Sequence, residues 1–172
     1  MTQQARGDDV DRIVAQWSRE RPELPTDAME LFGRIYRIAR LVGDQQKDVY
    51  HRHAIDRGEL DVLAALRRAG EPFQLSPSAL SESLMLTSGG MTGRLDRLER
   101  RGLVARTANP ADRRALLVTL TNRGRALADL AVTEGIDAHE AIIGGLGPRQ
   151  RAQLRAGLRS LLAAAAGGGA QR

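Results

Sequence analysis

The sequence predicts a mainly α-helical chain with a small β-wing, a winged helix-turn-helix. Three observations predict it. Apolar residues recur at helical spacing along most of the chain. Two short helical segments, 76–84 and 87–102, are separated only by a tight link at 85–87. Two β-rich stretches, "LVART" (103–107) and "ALLVTL" (115–120), follow directly and flank an Asn-Pro turn.

The elements follow in order. "DDVDRIVAQWSRE" (8–20) places Val10, Ile13, Val14 and Trp17 on one helical face. Asp8 or Asp9 caps its start, and Pro22 and Pro25 close it, giving a short separate helix that docks on the body. Thr26 caps a long helix running to roughly residue 55, striped by Met29, Phe32, Ile35, Tyr36, Ile38, Ala39 and Val42. At 1.5 Å per residue such a helix spans about 45 Å, a length that calls for another chain to pack against. A compact helix over 58–70 ends on Gly70. The helix over 76–84 starts with a capping Ser76 and with Pro77 at its first position. In the next, "TSGGMTGRLDRLERRG" (87–102), Thr87 or Ser88 caps, Leu95 and Leu98 face inward, and Gly102 ends the helix. After the hairpin come helices over 122–145 and 148–165, carrying Leu127, Leu130, Ile142, Ile143, Leu154, Leu158, Leu161 and Leu162. Gly144, Gly145, Gly147 and Pro148 break between them. The expected organisation is an added N-terminal helix and linker (1–25), a winged-helix and dimerisation domain (26–166, its DNA-binding part about 58–120), and a disordered tail (167–172).

Charge is concentrated. Residues 1–70 balance 12 bases against 12 acids, whereas 94–125 hold nine Arg against Asp96, Glu99 and Asp112. Composition bias accounts for choosing Arg over Lys (Lys47 is the only lysine) but not for clustering. A focused positive segment is the footprint of a polyanion binder. Arg113 and Arg114, at the wing, are placed to meet phosphates or reach into the minor groove. Asp112 does not favour a phosphate, and its expected work is to orient an Arg. Ser76, Thr87, Ser88, Gly89, Thr92 and Arg97 of the helix-turn-helix complete the candidate DNA contacts, with Ser88 and Thr92 at base edges or phosphates. Two helix-interior glycines, Gly89 and Gly90, cost about 1 kcal/mol each. Close approach of backbone to DNA offsets that; a frayed start is the alternative.

Other classes are disfavoured. The chain has no Cys, hence no disulfide, thiolate nucleophile or Cys-ligated zinc, in keeping with a cytoplasmic location. No apolar run reaches the 18 residues of a membrane span, and the N-terminus lacks the apolar core of a signal peptide. His51, His53 and His139 share no metal-ligand spacing, and no catalytic or cofactor-binding motif is present. No metal, no cofactor and no enzymatic activity are expected.

The stretch "LTSGGMTGRLDRLERRGLVARTANPADRRALLVTLTNRGRAL" (86–127) resembles the multiple antibiotic resistance regulator (MarR) family of winged-helix transcription factors. It carries the recognition-helix ending "RLERRGLV" and a wing with Asp112, Arg114, Leu120 and Thr121 in the family's D-x-R…LT pattern. The resemblance runs from about residue 30 to 162. It implies a dimeric MarR-like architecture: a homodimer through interlocked first and last helices, a pseudo-palindromic DNA operator, and a small-molecule effector that weakens DNA binding.

The added helix with "AQW", followed by "ERPEL", is similar to the family's urate-responsive branch. That resemblance implies effector contacts from Trp17, Asp61, Arg94 and Arg106. The effector would be urate, a related purine, or a tricarboxylate. Taken singly these residues read differently: Trp17 as a core anchor, Asp61 as an exposed or paired acid, and the two Arg as phosphate binders or ion-pair partners. Together they suggest a route in which two Arg attract an anion and the anion repels Asp61. The recognition helix then shifts. The leading function is a ligand-responsive DNA-binding repressor. A winged-helix protein-interaction or dimerisation adaptor is the alternative, and an enzyme fragment a third reading that the missing cofactor loop disfavours.

Overall fold

A computed structural model describes residues 7–84, 88–110 and 112–168. Thr87 and the tail at 169–172 lie outside the described residues, as do the side chains of Ser88, Gly89, Asp112, Arg113 and Arg114. The chain divides into two compact units, residues 1–48 and 49–172.

The first unit holds helix α1 (Asp9–Glu20) and most of helix α2 (Asp27–Arg52). Asp8 is the α1 cap: its carboxylate accepts from the Val10 and Asp11 amides, and Asp11 reaches back to the Asp8 amide. The buried Val10 packs against α2 at Gly33, where an added Cβ would stand 3.0 Å from a Val10 methyl. Around that apolar contact Arg34 binds Asp8 (2.8 Å) and Asp11 (2.5 Å), and Arg37 binds Asp9 (2.7 Å). The expected docking of the N-terminal helix therefore has both an apolar and an ionic component. Of the expected α2 stripe, Met29, Ile35 and Val42 are half-buried, whereas Phe32, Tyr36 and Ile38 are exposed, Tyr36 at 71%, as are Leu31 and Leu41 beside them.

The second unit is the winged helix. It comprises α3 (Arg57–Arg68), β1 (Gln74–Leu75), α4 (Pro77–Ser83), α5 (Ser88–Arg100), β2 (Val104–Asn109), β3 (Asp112–Leu120), α6 (Asn122–Ile143) and α7 (Pro148–Gly168). The core is one cluster contributed by every layer: Val62, Leu63 and Leu66 from α3, Leu80 from α4, Met91, Leu95 and Leu98 from α5, Leu103, Val104 and Val118 from the hairpin, and Ala128 from α6. Helical periodicity on α5 thus turns Met91, Leu95 and Leu98 inward and leaves Gly90, Thr92, Arg97 and Arg100 outward. A second cluster of Ile55, Leu60 and Ala131, with Tyr50 packed on it, ties the end of α2 and the start of α3 to α6.

The antiparallel sheet has the order β1-β3-β2. Strand β1 is absent from the sequence expectation, because two residues carry no alternation to read. It pairs Gln74 with Thr119 and Leu75 with Val118. Its approach is set by Gly70 (φ 78°) and Phe73 (φ 58°), both left-handed. The wing strands are longer than expected. Arg113 and Arg114 lie within β3, where the register jumps from Ala108 opposite Leu116 to Asn109 opposite Asp112. Helix α2 stops at Arg52 instead of residue 55, α6 at Ile143 instead of 145, and α7 continues to Gly168. Thr121 caps α6 and bonds the carbonyls of Gly102 and Leu103. Gly124 lets the two elements close: a Cβ there would sit 1.9 Å from the Leu103 carbonyl oxygen.

Candidate functional site

Ser76 caps α4 by accepting from the Ala79 amide and shares a hydrogen bond with Ser78 (2.9 Å). Capping fixes its backbone at the front of the helix-turn-helix. Thr92 lies one turn into α5 and is exposed, while Gly90 beside it leaves the front of α5 without bulk. Arg100 is exposed at the far end of the helix.

Among the described residues, three Arg of the basic segment are held by acids of the same chain. The Arg97 guanidinium donates to Glu59 (2.8 Å) and Asp56 (3.0 Å) on the front of α3. Hydrogen bonding to Glu59 raises the Arg97 pKa above the ordinary arginine value. Arg101 donates to the carbonyls of Ala54 (2.7 Å) and His53 (3.2 Å), and lies 3.5 Å from Glu59. Arg106 on β2 donates to both Asp96 and Glu99 of α5, at 2.5 Å each from Nη2, and its Nε lies 2.8 Å from Glu99. The Glu99 carboxyl is thereby held below its ordinary range, chiefly by the Arg106 side chain. Arg106 thus pins the wing's first strand to the recognition helix.

Arg94 differs. Its guanidinium lies on the first turn of α3 at Gly58, where an added Cβ would come within 2.3 Å of Nε, 2.6 Å of Cζ and 2.8 Å of Nη2. Its Nη1 is buried and meets no hydrogen-bond acceptor among the described residues. A buried donor on a cation that lacks a partner is costly. Asp61, one turn beyond Gly58, is half exposed and stands 4.0 Å from Arg57. Arg94 and Asp61 therefore converge on the same face of α3 without an ion pair between them. Trp17, 43% exposed, belongs to the unit formed by α1 and the first part of α2.

Known proteins resemble this chain along most of its length. The sequence model of the MarR family matches residues 55–115, from the corner after α2 into β3. The transcriptional regulator PecS of Dickeya dadantii is 35% identical over 148 residues, covering 86% of this chain and 89% of PecS. The chain belongs to the MarR family of transcriptional regulators. The multiple antibiotic resistance protein MarR of Salmonella typhimurium is 30% identical over 141 residues, 77% of this chain and 96% of that protein. Among solved structures, Bordetella bronchiseptica BpsR, described as regulated in DNA binding by 6-hydroxynicotinic acid, is 27% identical with a TM-score of 0.58, covering 74% of this chain and 98% of that one. MarR-family regulators are not enzymes.

The matched MarR segment contains Asp61, Arg94 and Arg106; Trp17 lies outside it. Within this segment Glu59 and Arg101 are the side chains that sequence reasoning missed. Asp56 and Glu59 stand in the D-x-x-E spacing of a capping box, and both halves of that box are formed. The spacing signals a helix start but not that the same carboxylate receives two guanidinium groups, from Arg97 of α5 and from Arg101 just after it.

Proposed function

We propose that this MarR-family chain is a homodimeric, ligand-responsive DNA-binding repressor acting in the cytoplasm. Helix α5 enters the major groove of each half of a pseudo-palindromic operator, and the wing follows the adjacent backbone. Ser76, Thr87, Ser88, Gly89 and Thr92 meet DNA at the front of α5; Arg113 and Arg114, oriented by Asp112, meet it from the wing. Support for the dimer comes from apolar rows on the outer helices: Ile136 and Ile142 on α6, and Leu154, Leu158 and Leu162 on α7, the last 72% exposed. Rows of this kind on long helices are covered in a stable assembly.

The effector is a small anion such as urate, a related purine or a tricarboxylate. The observation that carries this reading is the buried, unsatisfied Nη1 of Arg94, whose guanidinium lies on Gly58. An anion there would satisfy the donor, crowd the Asp61 carboxylate, and pull on α5 through Arg94. Arg106 supplies the second positive charge once loosened from Asp96 and Glu99. Release of DNA then follows from tighter anion binding by the conformer that does not fit DNA.

The test is a fluorescence anisotropy titration against labelled duplex from the protein's own upstream region, at several KCl concentrations, with and without urate. Expected are tight binding that weakens steeply with salt and release by urate. Binding that ignores salt, or no binding at low salt, would favour the adaptor reading. Release by a tricarboxylate but not urate would retain the site and change the guest.

A further inference from the structure

We propose that Glu59 is a positioning residue for DNA recognition, setting the orientation of α5 through Arg97 and Arg101 rather than by touching nucleic acid. This rests on the DNA-binding reading above.

Glu59 is 5% exposed, the one charged side chain buried among the described residues. Both its oxygens are used. Oε1 accepts from Arg97 Nε at 2.8 Å; Oε2 accepts from the Asp56 amide at 3.1 Å and lies 3.5 Å from Arg101. Asp56 completes the arrangement by accepting from the Glu59 amide (2.7 Å) and from Arg97 Nη2 (3.0 Å). Arg101 extends it to the carbonyls of His53 and Ala54, in the corner between α2 and α3. Ala54 is left-handed there (φ 51°), so the corner has a defined shape for Arg101 to read.

The start of α3 and the last turn of α5 with the residue after it therefore meet on one carboxylate, and Arg101 links them to the corner after α2. A buried carboxylate that loses its charge leaves Arg101 without a carboxylate partner and Arg97 with Asp56 alone. Apolar packing from Met91, Leu95 and Leu98 fixes how deep α5 sits. Non-directional contacts of that kind resist rotation and sliding along the helix axis poorly. The directional bonds to Glu59 and the corner carbonyls, on the side of α5 away from the Arg106 contacts to Asp96 and Glu99, add that restraint toward α3 at the end of α5 opposite the reading residues. They also withdraw Arg97 and Arg101 from phosphate contact.

The experiment is a double-mutant cycle on affinity for the same upstream duplex, using the full chain: wild type, E59Q, R97M and E59Q/R97M, each checked by circular dichroism to be folded at the assay temperature. Expected is a loss of roughly tenfold or more for each single variant. The double variant should lose clearly less than the product of the two single losses, because both singles remove the Glu59–Arg97 coupling. The slope of log affinity against log salt should match wild type. Multiplying losses, with a slope shallower by about one in R97M, would mean that Arg97 touches phosphate and would overturn the proposal, as would wild-type affinity in E59Q. If E59Q does not fold, R101M replaces it: a loss at unchanged slope supports the proposal and unchanged affinity overturns it. If wild type binds no DNA, the DNA reading fails separately. Amide exchange then decides. Faster exchange confined to Leu98–Arg101 in E59Q supports positioning, and exchange equal to wild type overturns it.

Discussion

Gly58→Ala isolates the Arg94 contact from everything else in the fold. The new methyl would stand 2.3 Å from Arg94 Nε. To reach ordinary contact the guanidinium must withdraw by about 1 Å. It is the far end of a flexible side chain, so it can. Ala improves intrinsic helix propensity over Gly by at most about 1 kcal/mol, and the melting temperature should change by no more than about 4 °C. DNA affinity should stay within about threefold of wild type, since Gly58 lies on α3 and a shift of 0.6 kcal/mol or so is all that is asked of α5. The effector should suffer more. Misplacing one charge-assisted hydrogen bond costs about 1.5–3 kcal/mol, so the concentration of urate, or of a tricarboxylate tested in parallel, that releases half the DNA should rise roughly ten- to a hundredfold. Anisotropy competition reads the release and differential scanning calorimetry the stability. Unchanged release by every anion to which wild type responds would refute Arg94 as the anchor. A melting temperature lowered by more than about 6 °C would instead mean that the guanidinium is immovable packing.

Gly124→Ala should behave in the opposite way, because its Cβ would meet the Leu103 carbonyl at 1.9 Å and backbone cannot swing aside. A loss of about 3 kcal/mol, or near 10 °C in melting temperature, is expected, and a change under 2 °C would contradict the packing of α6 on the hairpin. Replacing Arg113 and Arg114 together by Ala should weaken binding to the upstream duplex by roughly a hundredfold and lower the salt slope by up to about two; unchanged affinity would remove the wing from the interface. The α1 latch should be acid-labile. The Asp11 amide chiefly holds Asp8 below the ordinary aspartate range, and the Arg37 side chain chiefly does so for Asp9. Depressed carboxylate pKa values stabilise the docked helix above the ordinary value and lose that contribution as pH falls through the depressed one, below about pH 4. Trp17 emission should report undocking there, and Arg37→Met should move the transition to higher pH. A transition that Arg37→Met leaves in place would refute the ionic component.

Much of the fold was legible because its signals are local. Ser76-Pro77 and the inward spacing of Leu95 and Leu98 each act over a few residues, and each formed as read. What was not legible depends on partners distant in sequence. Strand β1 exists only because β3 offers Thr119 and Val118 to two residues with no pattern of their own. The closeness of α6 to the hairpin rests on Gly124, which in sequence is one glycine among 18.

The basic segment carries the same lesson for function. Summed along the sequence, nine Arg against three acids promise a strong field. Folding brings Glu59 and Asp56 from α3 to Arg97, and the 54-to-53 carbonyls to Arg101, while Asp96 and Glu99 turn out to face Arg106. Charge clustering in sequence therefore overstates the charge available to a phosphate, since neutralised guanidinium groups release few counterions. The division has a use for a switch. In the proposed reading, arginines bound within the chain hold α5 in place, those of the wing meet DNA, and Arg94, with a buried donor left unsatisfied, is where a small anion gains most by binding. An effector acting there bears on the recognition helix without having to compete with DNA for the wing, and that is the arrangement a ligand needs if it is to shift an equilibrium rather than occupy an interface.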